Sequence, residues 1–153
     1  MLSDDAFHAK LMLTMASLRA WSGFVADVAV IEDGEIGESW HFGLVPHMPS
    51  ACPVELVLRH DQRYDLTVAG ESYEDRPIAS LDLFPRLIEA IADGRVVRRY
   101  AVSRTTGLLH ATSTVVRLRD GVVFEDGHPC LDVPALPAPP LEWRDLHFLP
   151  YRR

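Results

Sequence analysis

Apolar residues recur at every second position over most of this chain, in short runs that each end in a turn signal. Phe24, Ala26, Val28 and Val30 alternate with Val25, Asp27, Ala29 and Ile31. After Asp33-Gly34 a return run places Ile36, Trp40, Phe42 and Leu44 on one face, with Ser39 and His41 on the other. Glycine accepts the positive φ that tight hairpin turns demand, so Asp33-Gly34 predicts the bend. A second hairpin fits Val54, Leu56 and Leu58 going out and Tyr64, Leu66 and Val68 coming back, with His60-Asp61-Gln62 between them. Proline cannot donate to a ladder, so Pro46 to Pro53 reads as a loop. Polar Gly70 to Arg76 reads as another. A period of two means strands with one buried face, and hairpins without crossovers mean an antiparallel sheet.

Two segments break that period. Ser3-Asp4-Asp5 is a helix start, because side-chain oxygens and negative charge suit unpaired N–H groups. Phe7, Leu11, Leu18 and Trp21, widened by Met12 and Met15, then follow helical spacing as far as Gly23. Further on, Asp82 suits a helix N-cap and Pro85 its first turn, where a missing N–H costs little. Phe84, Leu87, Ile88 and Ile91 form the apolar stripe of this second helix, and Gly94 ends it. Three strands follow over 95–103, 108–119 and 122–125, joined by Thr105-Thr106-Gly107 and Asp120-Gly121. The expected fold is α+β: one antiparallel sheet of about seven strands with two helices on one face. Its order is helix, four strands, helix, three strands, then a Pro-rich tail over 129–153. Trp143, Leu146, Phe148 and Leu149 in that tail suggest that it packs on the domain.

The 153 residues fit a single domain, 1–153, able to bury a core without a metal or disulfide staple. A net charge of −7 argues against nucleic-acid binding, where a basic footprint supplies most of the affinity. Lys10 is the only lysine, so an anion contact here is a guanidinium contact. The acidic N-terminus lacks the features of a signal peptide. The most apolar stretch, 11–31, contains Arg19 and Asp27, which speaks against a membrane span. Cys52 and Cys130 make no disulfide framework, and a reducing cytoplasm is the expected location. No Gly-rich phosphate loop, G-x-S-x-G elbow or dinucleotide fingerprint is present, so no cofactor is expected.

The sharpest local feature lies between Arg95 and Arg119, where six arginines (95, 98, 99, 104, 117 and 119) occur without an acidic residue. With Thr105–Gly107 as the loop, Arg98 falls opposite Thr114, Tyr100 opposite Thr112 and Val102 opposite His110. Strand parity then gathers Arg98, Tyr100, His110, Thr112 and Thr114 on one face, a combination suited to orienting a small anion. The competing reading is a solvated face whose charge is balanced from elsewhere. The seven histidines invite a metal reading, and His47, Cys52, His128 and Cys130 could converge in space. None has zinc-site spacing, and no metal is expected. His60-Asp61 could be a base with its orienting carboxylate, but adjacent strand residues point to opposite faces. An Asp at a bend more often bonds its own backbone.

The reading these features support is a non-enzymatic binding or accessory domain holding a small anionic ligand or a protein partner. Val122-Val123-Phe124 has no evident solvent face, which favours a homodimer. The alternative is a small lyase, isomerase or hydrolase acting on a carboxylated metabolite. There Arg98 would bind the carboxylate, His110 would act as general acid–base and Tyr100 would donate a hydrogen bond.

Overall fold

Ser3 begins the first helix by accepting a hydrogen bond from the Ala6 N–H at 3.3 Å, with Asp4 and Asp5 in the first turn. A computed structural model describes residues 2–129 and 140–152. Helix α1 (Asp4–Ser22) buries Phe7, Leu11, Met15 and Leu18. A 3-10 turn over Gly23–Val25 follows, and the Val28 N–H closes on the Val25 carbonyl at 3.0 Å. The first strand therefore starts later than the alternation suggests, at Ala29.

Strands β1 (Ala29–Ile36) and β2 (Ser39–Pro46) pair with Ile36 opposite Ser39, so the bend is at Gly37, whose φ is +60°. A bend at Asp33-Gly34 would have set Glu32 against Glu35, and like charges directly opposite are destabilising. Asp33 is instead a tertiary partner. Its carboxylate accepts from Arg19 Nε at 2.6 Å and from the indole N–H of buried Trp40 at 2.7 Å, pinning α1 to the hairpin.

Strands β3 (Val54–Arg59) and β4 (Arg63–Val68) form the second hairpin as the alternation predicts. A further strand, β5 (Glu71–Pro77), lies where a loop was expected. Ala69 and Gly70 both have positive φ (55° and 80°), the two-residue turn whose twist matches that of the strands it joins. In β5 only Tyr73 is buried, which is why the segment reads as polar.

Helix α2 (Leu83–Ala92) buries Phe84, Leu87, Ile88 and Ile91. Beyond it come β6 (Val96–Ser103), β7 (Leu109–Arg117), β8 (Val123–Pro129) and β9 (Leu141–His147). The expectation of one sheet of about seven strands is corrected: the described residues form two antiparallel sheets, β1-β2-β3-β4-β5 and β8-β7-β6-β9. The chain leaves the first sheet at β5 and enters α2, so β6 starts a new ladder. The tail supplies the ninth strand by pairing β9 with β6. The α+β class and the helix–strands–helix–strands order stand. Residues of α1, α2 and both sheets share one buried cluster that includes Leu18, Phe42, Leu66, Ile88 and Val116. Among the described residues no helix is long and apolar enough to cross a membrane.

After β9 the chain runs back across the core. Leu149 donates to the Ser50 carbonyl at 3.0 Å and Tyr151 to the Ala92 carbonyl at 2.8 Å. The Tyr151 hydroxyl donates to the Cys52 carbonyl at 2.5 Å, and Arg152 pairs with Asp27 at 2.6 Å. These contacts come from the part of the tail after 140, while 130–139 lie outside the described residues. Gly94 (φ +77°) makes room for this strap, since a Cβ there would lie 2.6 Å from Pro150 N and 2.8 Å from the Leu149 carbonyl carbon. Gly94→Ala therefore combines a left-handed penalty with a backbone clash, and the expected loss is about 2 kcal/mol or more. Urea unfolding measures it, and added protease cleavage near 148–152 would show that the strap has lifted.

Candidate functional site

The β6–β7 hairpin has the register its sequence suggests over the central residues: Arg98 faces Thr114 and Tyr100 faces Thr112. Gly107 holds its loop at φ +72°. A bulge then sets Val102 against Leu109, leaving His110 without the cross-strand partner that regular alternation assigns it. The structure brings Arg98, Tyr100 and Thr112 together, with the Arg98 guanidinium 5.4 Å from the Tyr100 ring. What fills the space between them is Glu71 of β5. Its Oε1 accepts from Arg98 Nη2 and, at 3.1 Å, from the Thr112 hydroxyl, while Arg98 Nη1 donates to the Ala69 carbonyl. Glu71 is invisible to an argument that treats 70–76 as a loop, and the one signal for it is the Ala69-Gly70 turn.

This ion pair is mostly shielded, with the Arg98 and Glu71 side chains 21% and 18% exposed. Among the described residues nothing hydrogen-bonds buried Arg98 Nε or His110 Nδ1. Thr114 is fully buried beside the Tyr73 phenol. An anion entering from solvent would have to displace Glu71. Breaking a shielded pair strands the remaining charge, so Glu71→Leu should cost about 3 kcal/mol. Combining it with Arg98→Met should recover most of that loss in the same urea titration.

Strand parity turns the odd-numbered residues of β6 to the opposite face, and there the environment differs. Val97 and Val115 form the floor of an open depression of about 330 Å³ walled by Arg95, Arg99, Arg117, Asp145 and His147. Arg99 Nε bonds Asp145 at 3.2 Å and its guanidinium lies 5.5 Å from the ring of exposed Trp143. Arg95 and Arg117 are cross-strand neighbours, the Arg117 N–H donating to the Arg95 carbonyl at 3.0 Å. Neither has an ion-pair partner among the described residues, whereas Arg119 is held by Glu89 and Asp93 of the α2 end. Like charges facing one another across a ladder are unfavourable unless something negative lies between them.

Other chemistry is sparse. Among the described residues no group of His, Cys, Asp and Glu could hold a metal ion. Of the four residues weighed for one, the His128 side chain and Cys130 lie outside what is described. His60 stacks on His8 with ring centroids 5.8 Å apart, and Asp61 pairs with Arg59 at 2.5 Å, so the two are not a base and its orienter. Burial pushes the Cys52 thiol up to about 11 from 9.0 and raises the Tyr151 phenol, which keeps both neutral in the fold. Each group holds its proton to higher pH when folded than when unfolded. The Cys52 contribution is thus complete below pH 9.0 and is lost as pH rises towards 11, while that of Tyr151 begins to fall only above pH 10.0. The urea midpoint should fall across that range, and less steeply in Tyr151→Phe.

Compared with protein-family models, curated proteins and solved structures, the chain matches none.

Proposed function

We propose that the protein is a non-enzymatic binding domain, homodimeric, that takes a small anionic ligand on the outer face of its β6–β9 sheet. One observation carries the reading: Arg95 and Arg117 oppose each other across the ladder, above Val97 and Val115, with no carboxylate between them among the described residues. A planar carboxylate or a phosphate accepts two guanidinium forks at once and relieves their repulsion. His147 and Arg99 stand at the rim, where they add donors. The site first suggested by Arg98, Tyr100, His110, Thr112 and Thr114 has less to offer an outside anion, because Glu71 already answers Arg98. The same contact weakens the lyase, isomerase or hydrolase reading, in which Arg98 binds the substrate carboxylate and an aligned His110 moves the proton.

Thermal denaturation with phosphate and with di- and tricarboxylates at constant ionic strength tests the proposal. At a ligand concentration of 100 times Kd, binding adds about 2.7 kcal/mol and raises the melting temperature by several degrees. The expected result is a shift with one anion class that disappears when Arg95→Ala and Arg117→Ala are combined and survives Arg104→Ala. No shift with any anion, or an equal shift in the double variant, would remove the proposal.

A further inference from the structure

We infer that two copies of this chain join edge to edge through β9, antiparallel about Trp143, making one continuous sheet across the dimer. The inference rests on the homodimeric reading above and supplies its interface. Among the described residues, strand β9 is the last of its sheet and pairs only with β6. Antiparallel strands turn their polar groups to alternate sides, and two bonds fix which residues turn where. Arg104 donates to the Pro140 carbonyl at 3.0 Å, and Phe148 donates to the Val96 carbonyl at 3.2 Å. Even-numbered residues of this segment therefore face β6. The N–H and C=O groups of Leu141, Trp143, Asp145 and His147 point away, an open row for another strand.

Several of the usual protections of such an edge are missing from β9, and its charges are of mixed sign. Its pairing with β6 runs through seven residues without a bulge, and it carries neither lysine nor proline. Trp143 is 55% exposed and Leu146 50%. The other sheet ends are better defended. β1 carries charges of one sign only, Glu32, Asp33 and Glu35; β5 shifts register against β4 and ends in Pro77; and β8 ends in Pro129, which has no N–H to offer.

Side-chain chemistry selects the register. A two-fold axis normal to the sheet pairs residues of the same parity, since facing residues project to the same side. An axis at Glu142, Arg144 or Asp145 sets like charges against each other at the centre. An axis at Trp143 sets indole against indole and places each Glu142 opposite Arg144 of the second copy. Glu142 and Arg144 already lie on one side of the strand, 3.7 Å apart, and would exchange that contact for two across the interface. The same axis makes Trp143–Trp143 a pair that exchanges both N–H···O bonds, with Leu141 and Asp145 doing likewise on either side. Each β9 also contributes Asp145 and His147 to its own arginine depression, so the two sites would share one face of the joined sheet.

Such a central pair holds its Cα atoms about 5.5 Å apart, within reach of a disulfide. Trp143→Cys in a Cys130→Ser background should give a covalent dimer on mild oxidation. Leu141→Cys combined with Asp145→Cys keeps Trp143 and should do the same, whereas Val123→Cys on β8 should stay uncrosslinked. Leu141→Pro removes one outward N–H per copy at the start of the strand, where the fold tolerates it, and should weaken the dimer about tenfold to hundredfold. Sedimentation of the unaltered protein as a monomer at high concentration would overturn both the homodimer and this interface. A dimer indifferent to Leu141→Pro, with neither cysteine variant crosslinking, would overturn the β9 interface alone.

Discussion

The ion pair between Arg98 and Glu71 joins the two sheets, and the arrangement of the other arginines follows from it. Glu71 is the first residue of β5 and Arg98 the third of β6, so their contact fixes where the second ladder begins relative to the first. Around it the sheets are tied by the Tyr73 hydroxyl on the Asp126 carbonyl at 3.3 Å and by Arg76 on Asp126 at 3.1 Å. Taking two charges out of water returns little net stability, because desolvation offsets most of their attraction. What the pair supplies is position. Any other docking of β6 on β5 leaves a shielded guanidinium or carboxylate unanswered, an error of several kcal/mol.

With Arg98 committed inward, the pleat sends Arg99 and the Arg95–Arg117 pair to the other side. The arginines of this segment, which look like one basic patch in the sequence, fall into different roles, with strand parity separating Arg98 from Arg95, Arg99 and Arg117. Arg98 is a joint, Arg119 braces the end of α2 and Arg99 pairs with Asp145 beside Trp143. Arg95 and Arg117 have no such employment among the described residues. The proposed site and a joint thus occupy opposite faces of one hairpin, and an alanine scan that ignored parity would confuse unfolding with loss of any binding.

Local signals made the helices and most hairpins legible through their apolar pattern, joined in α1 by the Ser3 cap; in α2 Asp82 makes no side-chain cap bond. The stripe Phe84, Leu87, Ile88 and Ile91 leaves α2 no alternative, and Thr105–Gly107 marks the β6–β7 bend, although a bulge beside it separates the bend from the central register. What escaped depended on distant residues. The turn at Gly37 wins over Asp33-Gly34 because Asp33 is claimed by Arg19 and Trp40, the latter seven residues on. β5 and β9 are polar strands at sheet edges, with only Tyr73 buried in the first and no residue fully buried in the second, so no apolar alternation announces them. The division into two sheets is written in no local pattern. It follows from α2 interrupting the meander after β5. The candidate site was visible as a run of arginines without acids, but its face turned on Glu71, a residue hidden in a segment that reads as a loop.

A net charge of −7 looks at first like an argument against an anion site. Charges separated by more than about 8 Å are largely screened at physiological ionic strength, so an approaching anion responds to the few groups nearest to it. Between Arg95 and Arg119 the chain carries six positive charges and no negative one, which leaves −13 on the remainder (−7 less 6). Of the depression's wall residues only Asp145 is acidic, and Arg99 neutralises it. The global charge disfavours nonspecific contact with polyanions, whose many phosphates would meet the acidic remainder of the surface. A compact ligand meets only the arginine face. The same balance of charges therefore argues against a nucleic acid while leaving the proposed carboxylate site open, and that discrimination would be by ligand size rather than by sign.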